Sequence, residues 1–262
     1  MQRGPAKLSP IWPLLTASYY LHIGLATLVL GLWGLPKALF SGRQGAQRVA
    51  TVWIGHMLRA ARWHFGLEVE VRGTPPVGHC IVAAKHQSFL DILALARACP
   101  DRAFIMKREV MRVPIMGWFA RKVGSVPIDR KDGRGARAAM IAAVHEAMPR
   151  GLGQLIIYPE GTRTRPGTSK PYKNGAAMLY AETGLPLVPV AGDCGLFWPK
   201  GGLRIHGGRA VIEFLPEIPP GDDASAAALT ERLEALIEPA AQRLLEEACA
   251  ARALPVPRGQ GG

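Results

Sequence analysis

From residue 68 onward the sequence predicts an α/β fold, a mixed sheet flanked by helices, and three observations carry that expectation. Short β-rich runs alternate with helix-patterned stretches. A hydrophobic content of 48% over 262 residues is enough to bury a substantial core and excludes wholesale disorder. No internal repeat of the solenoid or propeller kind is present. The chain divides into a helical pair over 1–67, the α/β domain over 68–250, and a flexible tail over 251–262 rich in proline and glycine.

The first element is apolar: residues 14–35 contain no Asp, Glu, Lys or Arg. As a helix this segment would be about 33 Å long, enough to span a hydrocarbon core. Thr16, Ser18, Tyr19, Tyr20, His22 and Thr27 dilute it, basic residues lie on both sides, and Gly34 and Pro36 are expected to stop it. Residues 44–65 then read as an amphipathic helix, with Val49, Val52, Trp53, His56 and Met57 at helical spacing and Arg48, Arg59 and Arg62 between them. A basic amphipathic helix carrying tryptophan suits a membrane interface. The pair is expected to dip into one leaflet from the cytoplasmic face, the competing reading being two core helices of a soluble domain. A cleaved signal peptide is not expected, because the apolar stretch is long and no A-x-A site follows it.

Charge points the same way. The formal net charge is +12, and no acidic residue precedes Glu68 although Arg3, Lys7, Lys37, Arg43, Arg48, Arg59 and Arg62 do. Such a region suits an anionic partner. Nucleic acid would leave the apolar segment unexplained, and no aromatic-interleaved basic motif is present, so an anionic membrane surface is the expected partner and nucleic acid is not.

In the α/β domain, strands are expected at 68–72, 80–84, 103–106, 125–129, 155–158, 187–191 and 209–215. Helices are expected at 89–99, 110–123, 135–148 and 174–183, with a last amphipathic helix at 224–250. Cys80, Cys99, Cys194 and Cys249 form no CxxC pair, which suits reduced, buried thiols and neither a disulfide framework nor a zinc site. His145-Glu146 fails as HExxH because Pro149 stands at the last position, and no metal is expected.

Two stretches carry chemistry. In AAKHQSFLDI, residues 83–92, an apolar strand runs into Lys85, His86, Gln87 and Ser88, and Asp91 follows once apolar sequence has resumed. On one continuous helix His86 and Asp91 would stand about 140° apart. A strand-to-helix turn lets His86 fold back over the first helical turn, where Asp91 can orient the imidazole and stabilise its protonated form. Ser88-x-x-Asp91 also fits a capping box, in which the carboxylate only satisfies backbone N–H groups. Both readings stay open on this stretch alone. In IIYPEGTRTRPGTSKPYKNG, residues 156–175, a second strand ends in Tyr158-Pro159 and is followed by Glu160-Gly161-Thr162-Arg163. Gly161 permits a sharp turn, and a guanidinium just past a strand end suits bidentate grip of a phosphate. It is not a P-loop, since Thr168-Ser169 stands where Lys-Ser/Thr is required.

Together these stretches resemble the glycerolipid acyltransferase family, which includes the 1-acylglycerol-3-phosphate acyltransferases. The resemblance covers residues 80–195 in four ordered blocks: His86-x4-Asp91, the stretch from Gly124 to Asp129-Arg130, Glu160-Gly161-Thr162-Arg163, and Val188-Pro189-Val190. H-x4-D alone is weak, whereas its pairing with EGTR downstream is specific. Lys85 stands where many members have asparagine and adds charge beside the histidine.

The resemblance implies transfer of a fatty acyl group from acyl-CoA or acyl carrier protein to a lysophospholipid hydroxyl, giving phosphatidic acid, with no bound cofactor. It implies His86 and Asp91 as the catalytic pair and Glu160, Gly161, Thr162 and Arg163 at the acceptor. Arg130 is a second phosphate ligand, and Lys107 either an oxyanion stabiliser or a plain surface lysine. The proline block is expected to be a strand end shaping the pocket. The motifs leave open glycerol-3-phosphate or a lyso-aminolipid such as a lyso-ornithine lipid as acceptor. From other classes, a membrane-bound hydrolase and a basic nucleic-acid-binding protein remain. Ser88 lies outside any G-x-S-x-G elbow, so direct transfer in a ternary complex is expected.

Overall fold

The computed structural model describes residues 12–129, 133–148, 153–201, 203–221 and 225–257. Two helices lead, α1 (Trp12–Phe40) and α2 (Gly42–Phe65). The domain follows as β1 (Leu67–Arg72), β2 (Cys80–Ala84), α3 (Leu90–Ala98), β3 (Arg102–Lys107), α4 (Met116–Lys122), β4 (Val126–Ile128), α5 (Gly133–Ala147), β5 (Gln154–Ile157), α6 (Gly175–Thr183), β6 (Leu187–Gly192), α7 (Cys194–Phe197), β7 (Gly208–Phe214) and α8 (Ala226–Ala251). The expected mixed α/β sheet is present, with strand order β1-β7-β6-β2-β5-β3-β4. All neighbours are parallel except β6 and β7.

Strands β2 and β5 lie at the centre and are buried along their whole length, so they read as unbroken apolar runs while edge strand β1 alternates. Their residues divide between two cores. Val82, Ala84, Ile156 and Tyr158 face a core shared with α2, α3 and α7, whereas Ile81, Ala83, Leu155 and Ile157 face one shared with α5, α6 and α8. The chain leaves β2 through α3 toward β3, and leaves β5 through α6 toward β6, in opposite directions along the sheet. Right-handed crossovers therefore put α3 and α6 on opposite faces. The crevice between β2 and β5 is a topological switch point, where α/β proteins place their sites.

Three local expectations need correction, and one helix was not expected. Helix α1 runs through Gly34 and Pro36 to Phe40. Packing against α2 outweighs the lost backbone bond: Gly34 lies against Val49 and Ala38 is fully buried. The helix expected at 110–123 is a 3₁₀ turn, Arg108–Arg112, followed by α4. Pro114 forces Val113 into an extended conformation, which ends the first piece. Val188-Pro189-Val190 lies inside β6 and not at its end. Pro189 is tolerated there because its missing N–H falls on the same side as its carbonyl, which accepts from Leu215 on the β7 side, and the β6–β7 pairing begins only at Val190. Short helix α7, unforeseen, is too brief for periodicity to reveal.

The helical pair is not set apart from the domain in packing. Tyr19 is fully buried edge-on against Phe65 and Trp198, and Ile23, Ile54 and Met57 join the core under α3. The other side of α1 is apolar and exposed through Leu21, Leu25, Leu28, Val29, Leu32 and Trp33. By length and composition α1 is the one helix among the described residues able to cross a membrane. At the other terminus, residues 252–257 fold back on the domain, with the Pro257 carbonyl against Gly167 and Arg252 over the Phe197 ring.

Close approach at Gly34 sets the geometry of the pair. A Cβ there would lie 2.3 and 2.8 Å from the two Val49 methyls. Alanine favours a helix over glycine by about 1 kcal/mol, whereas overpacking costs about 1–3 kcal/mol and helical valine has one preferred rotamer. Gly34→Ala is therefore expected to lower the melting temperature in detergent, and Val49→Ala in the same chain to recover part of the loss. A higher melting temperature in the single variant would show that the helices do not meet this closely.

Candidate active site

Strand β2 sits between β5 and β6, so the turn that follows it opens over the middle of the sheet. Lys85 N–H donates to the Val190 carbonyl at 2.9 Å, and after it the chain leaves the sheet. His86 comes next, 9% exposed, its Nδ1 3.3 Å from Asp91 Oδ2 in the first turn of α3. The same oxygen accepts from the backbone N–H groups of Gln87 at 2.7 Å and Ser88 at 2.9 Å. One oxygen thus holds the backbone of the turn and the imidazole together: the turn's N–H groups fix the carboxylate and the carboxylate fixes the ring. Asp91 does not cap α3, whose N-cap is Phe89.

With Nδ1–H assigned to Asp91 by this hydrogen bond, the His86 lone pair lies on Nε2. Tyr158, at the end of β5, stacks on the imidazole at 3.8 Å between centroids and 16° between planes. Burial, then Asp91 nearby, pushes the Tyr158 phenol well above its ordinary value, so it stays neutral beside the histidine. Ser88 is committed elsewhere: its hydroxyl donates to the Trp198 carbonyl at 2.6 Å and accepts from Leu90 N–H at 2.9 Å. The cysteines are free and buried, and burial pushes the Cys80 and Cys99 thiols up to about 12. Neither Ser88 nor these cysteines offer an activated nucleophile.

Because β5 pairs directly with β2, the loop after β5 lies beside the His86 turn. The buried Glu160 carboxylate joins the two. Its Oε1 accepts from Lys85 Nζ at 3.0 Å and Lys170 N–H at 3.3 Å; its Oε2 accepts from His86 N–H and the Thr164 hydroxyl, each at 3.3 Å. Thr164 N–H donates in turn to the His86 carbonyl at 2.8 Å. Gly161, at φ 68°, makes the turn, its N–H donating to the Tyr158 carbonyl at 2.9 Å. Thr162 and Arg163 follow half-buried, and among the described residues no hydrogen bond or ion pair ties down the Arg163 guanidinium.

The remaining expected residues are placed less closely. Lys107 ends β3, exposed at the same edge of the sheet, with β5 between β3 and the His86 strand. Arg130 lies outside the described residues. Among the described residues no group of three His, Cys, Asp or Glu side chains is placed to hold a metal.

The sequence did not disclose the stacking tyrosine or the full setting of Lys85. Lys85 is buried, and beyond Glu160 its Nζ donates to Glu238 of α8 at 2.7 and 2.8 Å. A lysine at the end of a wholly apolar strand was the available signal, because a buried ammonium needs carboxylate partners. Nothing in the local pattern names which carboxylates those are.

The arrangement can take a proton at Nε2 from a hydroxyl presented to it, next to an uncommitted cation suited to an anionic group. The acyltransferase family profile matches residues 68–192, which contain both loops. A Pseudomonas aeruginosa protein named 1-acyl-sn-glycerol-3-phosphate acyltransferase is 27% identical over 235 residues, covering 88% of this chain and 91% of its own. A cattle protein named 1-acyl-sn-glycerol-3-phosphate acyltransferase alpha is 32% identical over 168 residues, covering 62% of this chain and 58% of its own. The chain therefore spans most of the bacterial relative but little more than half of the animal one. The crystal structure of a 1-acyl-sn-glycerophosphate acyltransferase from Thermotoga maritima superposes with a TM-score of 0.73 at 24% identity, covering 88% of this chain and 95% of that one, a likeness of fold. With the profile's span enclosing the sheet's switch point and both loops that meet there, residues 68–192 form an acyltransferase-family domain, and the protein is an acyltransferase.

Proposed function

We propose that the protein transfers a fatty acyl group from an acyl thioester, on coenzyme A or acyl carrier protein, to the free hydroxyl of 1-acylglycerol-3-phosphate, giving phosphatidic acid in phospholipid synthesis. The observation that carries this reading is the His86–Asp91 pair beside a loop whose Arg163 is uncommitted. A thioester is already activated, so the chemical difficulty lies in the weakly acidic alcohol. His86 Nε2 takes the hydroxyl proton as the oxygen attacks the thioester carbonyl. The C–S bond breaks, and the imidazolium returns the proton to the departing thiolate, leaving an ester and a thiol. Asp91 stabilises the imidazolium between these steps. No acyl-enzyme forms, which accords with the commitment of Ser88 and the buried thiols. Arg163 holds the acceptor phosphate in a bidentate grip. Glu160 orients the loop that presents it, Gly161 shapes the turn, and Thr162 lines the acceptor site. Arg130 is a second phosphate ligand and Lys107 a candidate for the oxyanion.

We infer further that the protein works on the cytoplasmic leaflet of the cell membrane. One side of α1 packs on the domain and the other is exposed and apolar, which suits a helix lying in one leaflet. Of the arginines expected at the headgroups, Arg48 and Arg59 are exposed. Arg43 instead pairs with Asp101 at 2.7 Å and donates to the Val123 carbonyl, and Arg62 pairs with Glu68 at 2.9 Å. Helix α2 packs against the domain there, and these guanidiniums meet partners within the protein.

Labelled acyl thioester offered to a panel of lyso-acceptors tests the activity. His86→Ala is expected to cut transfer to 1-acylglycerol-3-phosphate to a small residual rate without unfolding the protein. Asp91→Asn should lose less, because a base remains; losing a general base costs about 10²–10⁴-fold. Parental turnover in purified His86→Ala would end this mechanism.

Arg163→Lys keeps the charge and loses the fork. It should raise the acceptor KM more than it lowers kcat. Unchanged acceptor kinetics in Arg163→Ala would leave the phosphate to another cation.

Membrane attachment should combine apolar insertion, which salt does not screen, with a contribution of about 1 kcal/mol from each basic residue near the surface, which salt does. Detergent is expected to release the intact protein from membranes where high salt fails. Arg48→Glu with Arg59→Glu should weaken binding to anionic vesicles at low salt more than at high salt. Complete release by salt wash would show that α1 does not insert.

A further inference from the structure

We propose that Glu238, on the C-terminal helix, is a positioning residue for His86, acting through Lys85 and Glu160. The proposal rests on the reading of His86 as the base and extends the catalytic apparatus to α8, a helix 152 positions downstream by the difference of residue numbers.

A continuous line of contacts supports it. Tyr172, in the loop before α6, donates its hydroxyl to Glu238 Oε1 at 2.7 Å. The Glu238 carboxylate takes Lys85 Nζ on both oxygens, at 2.7 and 2.8 Å. Lys85 Nζ also donates to the Thr168 carbonyl at 3.1 Å and to Glu160 Oε1 at 3.0 Å. The other Glu160 oxygen accepts the His86 backbone N–H at 3.3 Å. Each carboxylate thus touches the ammonium, and Glu160 alone touches the histidine.

Charge and space argue that Glu238 contributes geometry. Lys85 and Glu160 are buried to within 2% at their side chains, and they already balance one another. Adding Glu238 gives two carboxylates to one ammonium, a formal excess of one negative charge. Neutrality does not require the second carboxylate. What it adds is direction: with Nζ drawn to Glu238 and Thr168 as well, the ammonium cannot swing toward both oxygens of Glu160, and Oε2 is left for His86. Glu238 is itself held by Lys85 and the Tyr172 hydroxyl, and a cavity of about 270 Å³ lined by Lys85, Thr168, Glu238 and Gln242 lies on its flank. The neighbouring Ile237 is fully buried, which fixes the helix from which Glu238 reaches.

The test is steady-state kinetics on the full-length protein with labelled acyl thioester and 1-acylglycerol-3-phosphate. Glu238→Ala is expected to lower kcat about tenfold or more, since small misplacements of a reacting group have effects of that order. KM for both substrates and the melting temperature should stay near the parental values. Glu238→Gln, which keeps an acceptor oxygen, should recover part of the loss, and Glu231→Gln, exposed on the same helix, should change nothing. In a His86→Ala background Glu238→Ala should remove nothing further from the residual rate, because it acts only through the histidine. Parental kcat in Glu238→Ala overturns the proposal, as does an equal loss in both backgrounds. Should Glu238→Ala not fold, Tyr172→Phe decides. It removes one hydroxyl, and it should lower kcat in the same direction, a parental rate counting against the proposal. A fully active His86→Ala would instead refute the base itself, whatever Glu238 does.

Discussion

The buried carboxylate of Glu160 is the interaction on which the arrangement of the site depends. Two loops that follow different strands meet beyond the ladder between β2 and β5 through Thr164 N–H on the His86 carbonyl and Tyr158 on the imidazole. Among the described residues, Glu160 is the one side chain that bonds to the backbone of both. Glu160 bonds to the backbone of one loop through His86 N–H and to that of the other through Lys170 N–H, and it is neutralised by Lys85. Such a pair adds little net stability over an apolar substitute, but removing one partner strands a charge in the interior. Its value here is conformational. The carboxylate joins the Thr164–His86 backbone bond in holding the His86 turn and the Arg163 loop in one relative position.

That carboxylate can do this only because of the topology around it. Opposite departures of the chain from β2 and β5 open a crevice at the sheet's centre, and the parallel register delivers both loops to the same edge. The cores on the two faces then fix the strands from either side: α2 and α3 cover one, and α5, α6 and α8 the other. Tyr158 shows how tightly local and global order are joined. It closes β5, fills the α3-side core and stacks on the histidine, three roles for one ring.

The N-terminal helices share in this economy. Tyr19 and Ile23 of α1 belong to the same core that supports α3, whose first turn carries Asp91. An apolar helix built into the domain on one side and bare on the other ties the exposed apolar face of α1 to the turn that carries His86 and Asp91.

The sequence by itself determined the alternation of strands and helices, the apolar first helix, and the two loops with their histidine, carboxylates and arginine. All of these are written in short-range pattern: periodicity, strand ends, and charges interrupting apolar runs. It also posed the question of Asp91 in two forms, holding backbone N–H groups or holding the imidazole, and that a single oxygen contacts both is something only three-dimensional distances supply. Tertiary structure alone carried α1 past Pro36, turned Arg43 inward to Asp101, and brought Glu238 to Lys85. The physical reason is common to the three. Each outcome depends on which distant surface a residue meets, and packing or a buried charge's need for a partner overrides what its neighbours in the chain prefer.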